Sequence, residues 1–311
     1  MWFKHLHLYR LHDAAAAMAL PLPDLETALA EHATHPLGGS EGTRIGWRIP
    51  GGRASGQRVH EVQGQRLLSA LRQQRLLPTG VVREEVDERV EAIEAAEGRH
   101  LPRKEKQAIK EQVVEELLPR AFVQSQRIDL WWDTTRNLIG VNASSRARAE
   151  EVLDLLRQTL GSLKVTPLAT RELPIRAMTG WLKDADSRPS WLTLGDRAEL
   201  RAQGDDGVLA GRQVDLDSGE VQQLLEGGRQ AHKMAIEIDE RLSLVLHDDL
   251  ALKSLRFSDA LLDEASQAND DDDAILRMEA DFVLMANTLG EIADLLIGGL
   301  GGEAQQASGV A

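Results

Sequence analysis

The sequence predicts an α+β fold, antiparallel sheet with helices packed on it, and three patterns carry that expectation. Apolar and polar residues alternate in short runs, as where Leu6 and Leu8 sit between His5, His7 and Tyr9. Elsewhere the apolar residues recur every three or four positions, as at Val82, Val86, Val90 and Ile93. Third, an order of strands followed by a helix occurs twice. Residues 121–126, 128–133 and 138–143 read as three short strands before a helix capped at Ser144. Residues 234–237, 242–247 and 252–257 read as three more before a helix capped at Ser258. A constant offset of 114 aligns Arg127 with Arg241, Leu130 with Leu244, Leu138 with Leu252 and Ser144 with Ser258, without a gap. A duplicated unit explains this, and so does the general likeness of two meanders that each end in a helix. Strands grouped in meanders, rather than alternating singly with helices, place the fold in the α+β class.

In chain order, the strand at Leu6 and Leu8 is followed by the alanine run Ala14–Ala17 and then by a short helix capped by Asp24, with Leu25 and Leu29 inward. Between Pro36 and Gly64, turns at Gly38-Gly39 and Pro50-Gly51-Gly52 bracket a strand around Trp47. The acidic helix through Val82–Ile93 ends at Gly98, and Pro102 opens a second helix lined by Ile109, Val113 and Leu117, which Pro119 ends. The two form a hairpin that projects from the body. After the first meander, Val152, Leu155, Leu156 and Leu160 line a helix closed by Gly161. Trp181-Leu182, residues 191–194 and residues 208–216 read as short strands and turns, and Ser218 opens a helix with Val221, Leu224 and Leu225 that Gly227-Gly228 closes. Asp270–Asp273 is a loop or helix start. The last helix carries Ile275, Met278, Phe282, Met285, Leu289, Ile292 and Leu296 as a core stripe or a seam for a partner helix, and the glycine-rich tail from Gly298 reads as loose. With 311 residues, the chain is long enough for one large domain or several smaller ones. The expected parts are an N-terminal α+β body over 1–80, the helical hairpin over 81–120, the first meander–helix unit over 121–168, a linking α+β segment over 169–232, and the second unit with the C-terminal helix over 233–311.

Composition excludes several classes of function. The chain has no cysteine, which removes disulfides, thiolate metal sites and cysteine nucleophiles. The opening residues lack a signal-peptide core and the alanine run is too short for a membrane span, so the cytoplasm is the expected location. The net charge of −14 is unevenly spread. Residues 184–311 hold 27 acids against 10 Lys and Arg, whereas residues 1–183 hold 26 Lys and Arg against 23 acids. Arg44, Arg48, Arg53 and Arg58 form one basic stretch, and Arg99, Arg103, Lys104, Lys106 and Lys110 form another at the hairpin turn, opposed only by Glu105. Such clusters are either solvated faces or a local positive field suited to a polyanion. The motifs of phosphate loops, zinc hydrolases, serine hydrolases and dinucleotide folds are missing. His5 and His7 lack a third metal ligand and read as solvent-facing. Asp215, Asp217 and Glu226 only partly match a calcium loop. Asp129 and Asp133 share one strand face, as a nuclease metal site or a solvated strand edge. No catalytic residue and no cofactor is expected.

Several stretches, in order from residue 1 to about 305, resemble the recombination-associated RdgC family of proteobacteria. They are Met1-Trp2-Phe3-Lys4 with Leu6 and Tyr9-Arg10-Leu11, then Gly46-Trp47, Leu117-Leu118-Pro119-Arg120-Ala121-Phe122, and Leu160-Gly161-Ser162-Leu163 with Pro167-Leu168. Arg212-Gln213, Asp281-Phe282-Val283-Leu284-Met285 and Gly299-Leu300-Gly301-Gly302-Glu303-Ala304-Gln305 follow. The resemblance implies a homodimeric ring whose positively lined hole threads double-stranded DNA without sequence preference, and which restrains RecA-promoted strand exchange by occupying the DNA. It implies a nucleoid-associated protein that is not an enzyme. It also implies that Phe122 sits at a subunit contact, whereas the bare pattern favours a core aromatic. Arg99, Arg212 and Gln213 match positions that face the hole, and Arg103, Lys104 and Arg120 are the further candidate DNA contacts. Relatives often carry two adjacent basic residues before the glutamine, whereas Gly211 precedes Arg212 here. Two other functions remain open: a metal-dependent nuclease, and a protein-interaction scaffold without DNA contact.

Overall fold

The computed structural model describes residues 2–12, 21–52, 55–202, 204, 207–267 and 274–304. The alanine run Ala14–Ala17, Arg53, Asp270–Asp273 and Gln305 lie outside the described residues. The fold is α+β, with twelve antiparallel strands in one sheet and eight helices among the described residues.

In chain order the elements are β1 (His5–His12), α1 (Leu22–Glu31), β2 (Thr43–Arg48), β3 (Val59–Val62), β4 (Gln65–Leu76), α2 (Thr79–Glu97), α3 (Arg103–Leu117), β5 (Phe122–Asp133), β6 (Leu138–Val141), α4 (Arg146–Leu160) and β7 (Lys164–Pro167). Then follow α5 (Pro174–Lys183), β8 (Leu192–Arg201), β9 (Val208–Arg212), α6 (Gly219–Glu226), β10 (Gln230–Ile238), β11 (Leu242–His247), β12 (Leu252–Phe257), α7 (Asp259–Gln267) and α8 (Ala274–Gly299). The sheet runs β2-β4-β5-β6-β1-β12-β11-β10-β8-β9, with β3 on β4 and β7 on β1.

The first strand is the pivot of this sheet. It pairs with β6 through His7–Arg10, with β12 through His5 and Leu6, and with β7 through Tyr9–His12. Its inward residues serve two cores. Leu6 and Leu8 join a core that also holds Met178, Trp181, Met234, Phe282 and Leu289, on the side of α5, α6, α7 and α8. Tyr9 and Leu11 join a second core with Trp47, Trp132, Leu153 and Leu156, on the opposite sheet face under α1 and α4. Helices α1 and α4 therefore cover one face in the N-terminal half and α5–α8 cover the other face in the C-terminal half, with α8 reaching across onto β4 and β5. This corrects the expectation of a half-buried first strand with solvent-facing histidines: His7 and Tyr9 are buried because β1 lies where the core changes sides.

The repeat is realised only in part. Residues 121–133, expected as two strands, form the single strand β5, because β4 supplies register partners along its entire length from Gln65↔Asp133 to Leu76↔Phe122. The first unit is therefore a two-stranded hairpin plus helix and the second has three strands. The β5–β6 and β11–β12 hairpins do not share a register over their paired cores: at the offset of 114, Trp131↔Gly140 would correspond to Val245 facing Ser254, but a bulge in the second hairpin pairs Val245 with Lys253. Both place their second strand against β1.

Other boundaries shift for local reasons. The N-cap of α4 is Ser145, whose extended backbone lets its hydroxyl accept from the Arg148 N–H at 3.4 Å, one residue beyond the expected Ser144. Asp24 lies inside the first turn of α1, since Pro23 already occupies that turn. Trp181 and Leu182 are helical, not extended, with Pro174, Ala177 and Met178 completing one buried face of α5. Residues 299–304 are fixed rather than loose: Leu300 is fully buried, and Glu303 bridges to Thr170 and ion-pairs with Arg10. Among the described residues α8 is the one helix long and apolar enough to cross a membrane, and half of its most apolar window is buried within the fold. Of the two expectations for its stripe, core is the one realised.

The hairpin of α2 and α3 extends from the sheet after β4 and returns at β5. Val82, Val90, Leu101 and Val113 are buried within it, Arg89 clamps Glu85 and Glu116, and Gly98 ends α2 in the left-handed region at φ 63°.

Candidate nucleic-acid interface

The alternating helix layers leave two stretches of sheet face without helices, and both carry basic side chains. In the C-terminal half, strand register puts His5, Lys253 and Val245 in line, then Lys233 with His247 and Glu199, then Arg197 with Arg212. Alternation drives this: Ala198 and Leu200 turn into the core, which sends Arg197, Glu199 and Arg201 outward. Glu199 takes ion pairs from Lys233 and Arg201, each at 2.5 Å, and these cations hold its carboxyl below the usual range against the opposing effect of burial. Arg212, on the end strand β9, is exposed and has no acidic partner among the described residues. Gln213 follows it with φ 57°, a left-handed conformation that turns the chain out of the sheet edge. Lys253 Nζ lies 2.6 Å from His7 Nε2 and donates to the carbonyls of Ala143 and Ser144. Burial, then Lys253, holds the His7 imidazole down at about 4, so it is neutral and its Nε2 accepts a hydrogen bond from the Lys253 ammonium.

In the N-terminal half the open face holds Arg44 on β2 and Gln73 and Arg75 on β4, while Arg48 on β2 and Arg127 on β5 line a cleft at its border with Ala274 and Met278 of α8, by the registers Arg48↔Ser69↔Asp129 and Arg44↔Gln73↔Ser125. Arg44 pairs with Glu41, and Arg127 with Asp129 at 2.6 Å. Arg75 is spent on structure: its guanidinium donates to the carbonyls of Pro119, Ala121 and Gly38 at 3.0–3.2 Å.

The basic cluster at the hairpin turn is partly neutralised. Arg99 pairs with Glu97 at 2.7 Å and with Glu105 at 2.8 Å, and Lys106 pairs with Glu94 at 3.0 Å. The Glu94 carboxyl, bonded to the Leu101 N–H, Lys106 and His100, is pulled down to about 2 and caps the turn. Arg103 and Lys104 are exposed in the first turn of α3, and Arg120 is exposed at the root of the hairpin. The candidate contacts thus fall in three places: Arg99, Arg103 and Lys104 at the hairpin turn, Arg120 at its root, and Arg212 with Gln213 at the far end of the sheet. A single chain does not bring them together. Arg197 and Lys233 were not singled out from the sequence, although the alternation around Ala198 and Leu200 was available to find them.

Phe122 is 86% exposed, the most exposed large apolar side chain among the described residues. Leu76, its register partner, and Val81 are exposed beside it in the chain path of the hairpin root. Of the two readings open at the level of sequence, core is ruled out within one chain.

The carboxylates considered for metal chemistry are committed elsewhere. Asp133 is fully buried and accepts from the Thr135 and Arg136 N–H groups, the Thr135 hydroxyl and the Arg136 guanidinium. Asp129 accepts from Ser69 and Arg127. Neither is a solvated strand edge. Asp217 pairs with Arg188, and among the described residues no three His, Asp or Glu side chains converge as metal ligands would.

Comparison with known proteins agrees over nearly the full chain. Residues 1–303 match the family model described as "Putative exonuclease, RdgC". The recombination-associated protein RdgC of Pasteurella multocida is 40% identical over 306 residues, covering 97% of this chain and 98% of that protein. Those of Yersinia enterocolitica and Tolumonas auensis are 39% and 38% identical, each covering 99% of the relative and 98% and 97% of this chain. With a matching family model and relatives of this identity along almost the entire length, the chain belongs to the RdgC family of recombination-associated proteins.

Proposed function

We propose that the protein is a sequence-independent clamp on double-stranded DNA, formed by two copies of the chain, that limits RecA-promoted recombination by occupying the duplex. The observation that carries this reading is the helix-free sheet face bearing Arg197, Arg212, Lys233 and Lys253 in a chain whose net charge is −14. A strongly acidic protein that gathers cations on one open face concentrates positive potential where a polyanion can use it. Contacts from Arg and Lys to phosphate supply affinity without reading sequence. Self-association is supported by Phe122, since an exposed aromatic at a hairpin root is the kind of side chain that anchors an interface. Nucleoid association in the cytoplasm follows from that ligand.

The action is passive on this reading. The family description names an exonuclease, but Asp129 and Asp133, the pair suited to metal-dependent cleavage, hold local structure instead. The test combines solution mass, a gel shift with an arbitrary duplex, and incubation of plasmid with magnesium. A dimer that retards any duplex and leaves the plasmid intact is the expected result. Cleavage abolished by Asp129→Asn overturns the passive reading, and failure to retard duplex at moderate salt favours a protein-interaction scaffold.

A further inference from the structure

The end of the sheet contains a feature that a diffuse positive field does not explain. Arg197 on β8 and Arg212 on β9 are direct register partners, so two like charges face each other across adjacent strands. That arrangement is destabilising by itself. Arg212 has no acidic partner among the described residues, and the buried Nε of Arg197 has no hydrogen-bond acceptor. Asp196 ion-pairs with Arg197 at 3.4 Å from that Nε without making a hydrogen bond, whereas Arg212 has no such counter-charge among the described residues. Beside the pair is a cleft of about 200 Å³ lined by Arg197, Arg212, Lys233, Glu199 and Ala210. Three cations face one anion there, and that anion, Glu199, already serves Lys233 and Arg201. Ala210, opposite Glu199 in the register, leaves open the volume that a longer side chain would fill.

Resting on the reading of this face as a duplex interface, we propose that the cleft is a seat for one phosphate group, held by Arg197 and Arg212 with Lys233 behind them. A tetrahedral oxyanion bridging the two guanidinium groups relieves the arginine–arginine repulsion. Guanidinium forks suit this geometry better than ammonium groups. The seat gives the clamp one fixed docking point for a backbone phosphate in addition to its general field. The same chemistry also accepts a terminal phosphomonoester or inorganic phosphate.

The experiment titrates inorganic phosphate into the full-length protein at low ionic strength, by calorimetry, for the unmodified chain, Arg197→Gln, Arg212→Gln and Arg176→Gln. Arg176 is exposed on α5, apart from this face. Competition then follows with a short duplex carrying 5′-hydroxyl ends and with the same duplex carrying 5′-phosphates. One saturable phosphate per chain is expected, weakened roughly tenfold or more by Arg197→Gln and by Arg212→Gln and unchanged by Arg176→Gln. Either duplex should displace it, and each seat variant should lower the salt slope of duplex binding by about 0.9. Displacement only by the 5′-phosphorylated duplex assigns the seat to strand ends and overturns the backbone docking point. Phosphate binding that does not saturate, or that ignores both substitutions, overturns the seat while leaving duplex binding intact. Saturable phosphate binding without any duplex binding overturns the clamp and keeps the seat, for a free phosphate. Should Arg197→Gln fail to fold, Arg212→Gln on the exposed end strand carries the test.

Discussion

Phe122 is presented rather than merely exposed. Pro119 and Ala121 just before it are held by the Arg75 guanidinium, which also reaches Gly38, so the chain enters β5 in a braced conformation. Because the side chain is already in water within one chain, Phe122→Ser should leave the melting temperature of the isolated subunit nearly unchanged, within about 0.5 kcal/mol. On the clamp reading it should weaken self-association by a few kcal/mol, on the order of a hundredfold, and shorten duplex half-life accordingly. Arg212→Ala should weaken duplex binding and leave the dimer intact. Solution mass, melting temperature and duplex half-life for both variants check this, and a collapse of melting temperature in Phe122→Ser would contradict it. His7 supplies a pH prediction. Its imidazole titrates at about 4 in the fold against 6.5 unperturbed, so between these values the unfolded chain binds a proton that the folded chain does not. Stability from this group is complete above pH 6.5 and falls as pH drops toward 4. His7→Gln keeps an acceptor for Lys253 without titrating, and should flatten the dependence of melting temperature on pH across that window.

At the scale of elements, β6 lies between β5 and β1, with a side chain missing where neighbours come closest. A Cβ on Gly140 would lie 2.6 Å from Trp131 Cε3 and 2.7 Å from Leu6 Cδ1, both in the larger core. Gly140→Ala should therefore cost about 1–3 kcal/mol through forced shifts of Trp131 and Leu6, read as a lower denaturation midpoint with an unchanged slope. The hairpin of α2 and α3 behaves differently, since its buried residues pack on one another and its ion pairs are internal. Its acidic helix α2 and Glu105 on α3 cancel much of the positive charge that the sequence concentrates at the turn, which leaves Arg103 and Lys104, rather than Arg99, as its least committed cations.

Across the whole molecule, the net charge and the basic faces are reconciled by location. The described acids of the C-terminal half lie largely on helices and turns, while the strands of that half send Arg197, Lys233 and Lys253 to the open face. On the clamp reading, log K for duplex falls by about 0.9 for each phosphate neutralised per decade of salt. Duplexes of unrelated sequence should bind alike. A titration at several salt concentrations with two such duplexes checks both expectations. Affinity insensitive to salt, or a strong preference for one sequence, would contradict the electrostatic account.

The sequence by itself determined the fold class, most helices with their Gly98 and Gly161 terminators, the hairpin, and membership in the family through motifs spread along the chain. These follow from local periodicity, capping and turn chemistry, which act over a few residues and survive in any context. The exchange of cores at β1 was decided only by the tertiary structure, because His7 and Tyr9 look like solvent positions until α4 and β12 are placed around them. The single strand β5 likewise depends on β4, which supplies partners without a break through Arg127, where the sequence divides 121–126 from 128–133. The commitment of Asp129 and Asp133 to neighbouring donors was invisible for the same reason. So was the opposition of Arg197 to Arg212, since strand register, not sequence spacing, decides which side chains face one another.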